Sequence, residues 1–498
     1  MSATPWWRRR CLTSTTLCEG PLMLALNVDV DPNRCRMLGL AGSLALTAGG
    51  LTAGALPLAE EPAATSGRAA LGLMCAYFGL VLLIAAWWWL GRAVRGRHPL
   101  PVRDLLLTLA VWATPLIVGP PLFSRDVYSY LAQGAMVDAG IDVYTHGPHA
   151  LGGPLAAEVA PVWQHTPAPY GPVFLAVAAK TAGLARTGIP AGVLGMRLVA
   201  LLGVALMVVF LPRLARRCGV DPSAALWLGV LNPLVLLHLV AGAHNDALML
   251  GLLGAGLATA LAGRPAVAAV LITLAALVKA PSGLGLLVVA GVWSARFTGR
   301  ARTVRACALT AAVAGATTVA VTTLSGTGYG WIGALGTPVS SDNWSLTSGL
   351  GRLSGILLDE VGSGAGPLAL PAWRWLGMAV TAVLVVALWR RRERLGPVYA
   401  LALSMLAVFV LGPASRPWYA LWGLFLIAAS APRGRVRNWV AGGSAVLALA
   451  LPPDGSAPGG LQLSLAVCGG VFALLALWWM FSLTPDPGLA VSRHWSAS

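Results

Sequence analysis

A few short polar motifs, separated by long apolar stretches, carry the residues that could do chemistry. The first is Phe123-Ser124-Arg125-Asp126-Val127-Tyr128-Ser129-Tyr130. A carboxylate such as Asp126, held where an apolar stretch ends, can take a proton from a substrate hydroxyl as a general base does. Its alternative role is to cap a short helix begun by this motif, since aspartate is a favoured capping residue. Further on, Trp163-Gln164-His165-Thr166-Pro167-Ala168-Pro169-Tyr170-Gly171-Pro172 places prolines at 167, 169 and 172. Prolines at that density stiffen the chain and restrict the residues before them. Rigid backbone carrying Trp163, His165 and Tyr170 suits a binding wall or an aromatic belt at lipid headgroups.

Four more motifs follow. His244-Asn245-Asp246 stands between two apolar stretches, where such a trio is costly unless paired or wetted and marks a functional site by default. A metal pair is a weaker reading, because two candidate ligands lack a third. Lys279-Ala280-Pro281 holds one of only two lysines in the chain, either an anion partner or a lysine snorkelling to the interface. Ser340-Ser341-Asp342-Asn343-Trp344-Ser345 offers Trp344 as a stacking platform for a sugar, or is a solvated loop. In Ser415-Arg416-Pro417-Trp418-Tyr419, Arg416 is a fixed positive charge suited to phosphate oxygens or to headgroups.

The elements that must position these residues are membrane helices. The chain has 498 residues, 57% hydrophobic and 10% charged, where soluble domains carry about 25% charged residues. Apolar runs near the ~20 residues needed to cross a bilayer recur from residue 38 to residue 482. The expected fold is therefore an all-α integral membrane protein, a polytopic helical bundle with about 14 transmembrane helices. The net charge of +16 resides in short arginine clusters between apolar runs, such as Arg8-Arg9-Arg10 and Arg390-Arg391-Arg392. That is the positive-inside pattern of cytoplasmic loops and not a nucleic-acid surface.

With basic clusters inside, residues 1–37 and 483–498 form cytoplasmic tails around a membrane domain at 38–482. Residues 1–37 lack the apolar core of a cleaved signal peptide. The map is consistent only if 170–186 lies at the interface as a juxtamembrane helix instead of crossing. Two long outer loops result, 123–190 and 325–370, long enough to be functional. None of the seven cysteines falls in an outer loop, so no disulfide framework is expected. The topology places Asp126, His165, His244, Asp246, Lys279, Asp342 and Arg416 on the outer, periplasmic face of the plasma membrane. A carboxylate, cations and aromatic walls open to lipid fit a lipid-phosphate group donor.

The motifs at 124–130 and 166–172, followed by Asn232-Pro233, 244–246, 279–281 and Arg416-Pro417-Trp418-Tyr419, resemble the actinobacterial polyprenol-phosphate-mannose-dependent α-(1→6)-mannosyltransferases. The likeness runs in order over roughly residues 100–430. It implies the C-type membrane glycosyltransferase fold, with juxtamembrane helices after a catalytic acidic residue that Asp126 matches. It implies mannosyl transfer, with inversion, from a β-linked polyprenyl-phosphate-mannose donor to an α-1,6-mannan glycolipid of lipomannan type.

On that reading Asp126 is catalytic, and Lys279, Arg416 and His244 bind the donor phosphate. Tyr128, His165, Tyr170, Asn245, Asp246, Trp344 and Trp418 contact sugars. No cofactor is required; a divalent metal at Asp126 or Asp246 is allowed but not demanded. The expected partners are the donor, the mannan acceptor and membrane lipids. The alternatives are a transporter or flippase of a polyprenyl-linked sugar, which should carry its ionisable groups near the midplane in broken helices, and the same enzyme type acting on another sugar. Whether Asp126 or Asp246 is the base stays open at this point.

Overall fold

The computed structural model describes residues 31–63, 66–96, 99–185, 188–334, 345–432 and 434–482. Among them every regular element is helical. The first three helices are α1 (Pro32–Ala53), α2 (Gly67–Arg95) and α3 (Val102–Val118). α1 starts earlier than the apolar run alone suggested, because Asp31 accepts the backbone N–H of Asn33 and Pro32 occupies the first turn. α1 and α2 pack at backbone contact: a Cβ on Gly49 would lie 2.4 Å from the Gly72 carbonyl oxygen. Close approach of this kind is how helices associate without a water-driven force between them.

The first long loop holds α4 (Asp126–Asp138), helical turns at 148–164, and α5 (Pro172–Ala185), so the stretch expected to be a juxtamembrane helix is helical. α6 (Ile189–Arg217) follows, then α7 (Pro222–Gly229). The apolar run at 223–241 is not one helix. It breaks after α7 and resumes as a π-helix at Val235–Ala241. Pro233 has no N–H to continue the ladder. Asn232 repairs the gap, accepting Leu234 N–H and donating to the Leu228 carbonyl and the Ser444 hydroxyl.

The remaining helices longer than a single turn are α8 (Asp246–Leu261), α9 (Pro265–Ala276), α10 (Leu286–Ser294), α11 (Arg302–Ser325), α12 (Leu346–Glu360), α13 (Gly366–Arg390), α14 (Pro397–Leu411), α15 (Ala420–Ser430), α16 (Arg435–Ala448) and α17 (Gly460–Ser482). A 3-10 segment at Ala280–Gly285 leads into α10, and another at Pro417–Tyr419 into α15.

Among the described residues five helices, α2, α6, α11, α13 and α17, are long and apolar enough to cross a membrane; a sixth crossing results if the π-helix and α8, bent by 109°, count as one. Each apolar stretch of the sequence is wholly or partly helical, but this tally does not carry the count of 14 full crossings expected from hydropathy. α13 and α17 leave Trp375, Val383 and Trp478 about two-thirds exposed, a surface suited to hydrocarbon and not to water. No disulfide joins any two of the five described cysteines.

Candidate active site

Two bends make the site, and each contains a non-glycine residue in the left-handed region: Phe123 (φ +64°) before α4 and Ala243 (φ +54°) before α8. Such residues are uncommon and are held there only when the surroundings over-determine them. One determinant is Arg197 of α6, 3% exposed. Its guanidinium donates to the carbonyls of Ile117 (2.6 Å) and Gly119 (2.8 Å), at the end of α3, and of Ala241 (2.9 Å), at the end of the π-helix. A single buried cation thus ties together both helix ends that feed the bends, where carbonyls are unpaired and the dipole favours positive charge. A second determinant is the loop before α17. The Pro453 carbonyl accepts Phe123 N–H at 2.6 Å, and Gly455 (φ +79°) lies so close to Ser124 that a Cβ there would sit 2.7 Å from its Cα.

α4 begins with Asp126, yet Asp126 does not cap it. The Ser124 hydroxyl accepts the Asp126 N–H at 3.1 Å, so the carboxylate is left for other work. Its side chain is 22% exposed. Burial pushes its carboxyl above the ordinary value, against the opposing pull of the Arg416 and Lys279 charges. Arg125 points away, donating to the Leu56 carbonyl and pairing with Glu61 and the buried Glu158.

Beside Asp126 lies His244, fully buried, its Nδ1 3.7 Å from the carboxylate and 3.1 Å from the Tyr130 hydroxyl. The His244 ring stacks on Trp418 with centroids 4.0 Å apart. Two residues on, Asp246 is also fully buried and accepts two hydrogen bonds from Lys279 Nζ (2.8 and 3.0 Å) and one from the Trp422 indole (2.6 Å). Lys279 Nζ stands 4.5 Å over the Tyr419 ring and 5.9 Å from the Tyr170 ring centroid. Tyr170 meets Tyr130 edge-on at 5.4 Å. Among the described residues no hydrogen bond or ion pair engages the half-buried Arg416 guanidinium. His244 Nε2, both amide atoms of Asn245 and Trp418 Nε1 are buried without a partner. Buried polar atoms left open in one place mark where a polar ligand fits.

The structure therefore brings together Asp126, Tyr170, His244, Asn245, Asp246, Lys279, Arg416 and Trp418. It departs from the sequence reading in four respects, and one further expected residue lies outside the described ones. Tyr128 is 1% exposed and donates to the Ala55 carbonyl at 2.7 Å under the Arg125 guanidinium; it faces the α1 end and cannot meet a sugar. His165 is exposed against His149, centroids 4.6 Å apart, with no contact to the cluster among the described residues. Trp344, with Asp342 and Asn343, lies outside the described residues. Lys279 and Asp246 neutralise one another, so neither is the free phosphate or sugar ligand expected of it.

Finally, residues 244–246 and Lys279 do not form surface turns. α8 and α9, 16 and 12 residues long, reach about 24 and 18 Å, less than the ~30 Å of bilayer hydrocarbon. Residues 244–246 and Lys279 are instead buried within the protein. Sequence reasoning missed Arg197, Tyr130, Tyr419 and Trp422. A lone arginine inside an apolar run, and tyrosine and tryptophan four residues after Asp126 and Trp418, were the available signals.

A family profile described as "Alpha-(1->6)-mannopyranosyltransferase, N-terminal domain" matches residues 36–296, and one described as "MptB C-terminal domain" matches 347–480, a wider reach than the motifs alone indicated. Alpha-(1->6)-mannopyranosyltransferase A of Mycobacterium tuberculosis is 36% identical over 469 residues, 90% of each chain. Alpha-(1->6)-mannopyranosyltransferase B of Corynebacterium glutamicum is 33% identical over 499 residues, 91% of this chain and 83% of that one. The A enzyme of C. glutamicum is 30% identical over 409 residues, 76% and 83% of the two chains. No solved structure matches. By profile and by identity over most of its length, this chain belongs to the alpha-(1→6)-mannopyranosyltransferase family.

Proposed function

We propose that this protein transfers mannose from polyprenyl-phosphate-mannose to the growing α-1,6-mannan of a lipoglycan, at the outer face of the plasma membrane. The observation that carries the reading is the pairing of a partly open, uncapped carboxylate, Asp126, with an unengaged guanidinium, Arg416, across a wall of His244 and Trp418. Asp126 takes the proton of the acceptor hydroxyl as its oxygen bonds to the anomeric carbon. The bond from that carbon to the phosphate oxygen breaks, configuration inverts, and Arg416 stabilises the departing polyprenyl phosphate by preorganised charge. Asn245, Tyr170, His244 Nε2 and the Trp418 indole N–H meet sugar and phosphate oxygens.

Asp246 is the poorer candidate for the base, because Lys279 and Trp422 already occupy its oxygens; the pair braces the wall. The broken helix at 242–245 is the feature a transporter would use, but the strained, arginine-tied bend is a fixed frame more than a gate. The deciding experiment supplies membranes with radiolabelled polyprenyl-phosphate-mannose and a short α-1,6-mannoside. Wild-type transfer abolished in Asp126→Asn, at equal protein level, supports the reading. Full activity in Asp126→Asn removes the base, and no transfer by folded wild type removes the donor.

A further inference from the structure

α12 is built inside out for a helix in water. Leu346, Leu350, Leu353 and Leu357 recur at helical spacing on one side, joined by Ile356, and all but Leu350 are more than half exposed. The opposite side carries Ser345, Thr347, Ser348, Gly351, Ser354 and Gly355, and it is this side that packs. The contacts run antiparallel along α13. A Cβ on Gly355 would meet the Gly366 carbonyl at 3.1 Å, one on Gly351 the Leu370 Cα at 2.7 Å, and one on Gly377 the Thr347 methyl at 2.5 Å.

Hydroxyls join the faces. The Trp373 indole donates to Ser354 and the Arg374 guanidinium to Ser348. The start of α12 is tied to the turn ahead of Arg416: Thr347 donates to the Gly412 carbonyl at 3.0 Å, and Ser345 and Ser348 to the Pro413 carbonyl at 2.9 and 3.1 Å. Small residues and hydroxyls inward with leucine outward is the pattern of helix packing in lipid, and in water it would bury the wrong face.

α12 also runs beside the first three turns of α13, one of the helices able to cross the membrane. The leucine side continues the exposed apolar surface of that span at Leu368, Trp375 and Leu376. We propose that α12 is a half-inserted, re-entrant helix. Its leucine stripe is covered by bilayer hydrocarbon, its acidic end at Asp359 and Glu360 lies at the headgroups, and its deep end holds the Gly412–Arg416 turn below the membrane surface. The partner is the lipid bilayer, and the inference stands whatever sugar the site handles.

The test uses full-length protein in phosphatidylcholine liposomes, its seven native cysteines replaced by serine or alanine. Single cysteines at Leu353→Cys, Leu357→Cys and Ser363→Cys carry an environment-sensitive fluorophore. Positions 353 and 357 are expected to lose most of their emission to brominated-chain lipids and little to aqueous iodide, with the reverse at 363. Iodide quenching at 353 and 357 overturns the proposal in favour of a water-exposed loop. Protection from both quenchers overturns it in favour of a protein partner. Should cysteine removal impair folding, photo-crosslinking of the unaltered chain with a diazirine-bearing phospholipid decides the matter: adducts on 353–357 support insertion, and their absence beside adducts on α13 refutes it.

Discussion

Removing the Lys279 ammonium should damage the protein chiefly through Asp246, and a second substitution should undo that damage. Asp246 is fully buried and accepts two hydrogen bonds from Lys279 and one from Trp422. In Lys279→Met only the indole remains, and a buried charge stripped of its partner costs about 3–5 kcal/mol. At about 2 °C per kcal/mol, the low end for large domains, the loss is of the order of 6–10 °C in melting temperature. Lys279→Met with Asp246→Asn removes both charges while the amide oxygen still accepts the Trp422 N–H, so most of that loss should return. Thermal unfolding of the purified protein in detergent, read by intrinsic fluorescence, measures both. A stable Lys279→Met, or a double variant no better than the single, would refute the brace. Transfer activity divides the roles further: if Lys279 held the donor phosphate itself, the double variant would recover stability and stay inactive.

Three other outcomes are expected. Because burial raises the Asp126 carboxyl above the usual ~3.9 and the base must be unprotonated, kcat/KM should fall on acidification through a midpoint above that value; a profile flat to pH 4 would remove Asp126 from the chemistry. The stability sign is opposite: a raised folded pKa means the folded chain holds this proton more tightly, so that contribution is present at low pH and fades as pH rises. Arg197→Met should abolish transfer by releasing three carbonyls, and Arg197→Lys should restore part of kcat with KM little changed; equal failure of both would assign Arg197 to folding alone. Tyr128→Phe loses one hydrogen bond to Ala55 and should cost about 1 kcal/mol of stability with activity intact, whereas a sugar-binding tyrosine would show as a raised KM.

Apolar runs and arginine clusters made the helical membrane architecture legible, and motif order made the family legible. Asp126, His244 and Arg416 stood out because ionisable groups in such a chain are few. What stayed hidden depended on partners distant in sequence. Lys279 reads as a lone cation until Asp246, 33 residues away, is seen to hold it. Tyr128 and Tyr130 are alike in a motif, and only the turn of α4 sends one to Ala55 and the other to His244. The break at Asn232-Pro233 was masked by an apolar run that hydropathy scores as continuous.

The brace around Asp246 also sets an order of events as the chain is made. Asp246 emerges first, and its cation follows 33 residues later, within about 2–7 s at roughly 5–20 residues per second. The Trp422 indole comes 176 residues later, about 9–35 s at the same pace. For that interval a nascent α8 carries an ion pair still lacking one of its donors, although its main neighbours α6 and α9 are already made. The second half of the chain therefore completes a wall begun by the first, and a chain truncated before α15 would keep the Lys279–Asp246 pair but lack the Trp422 donor.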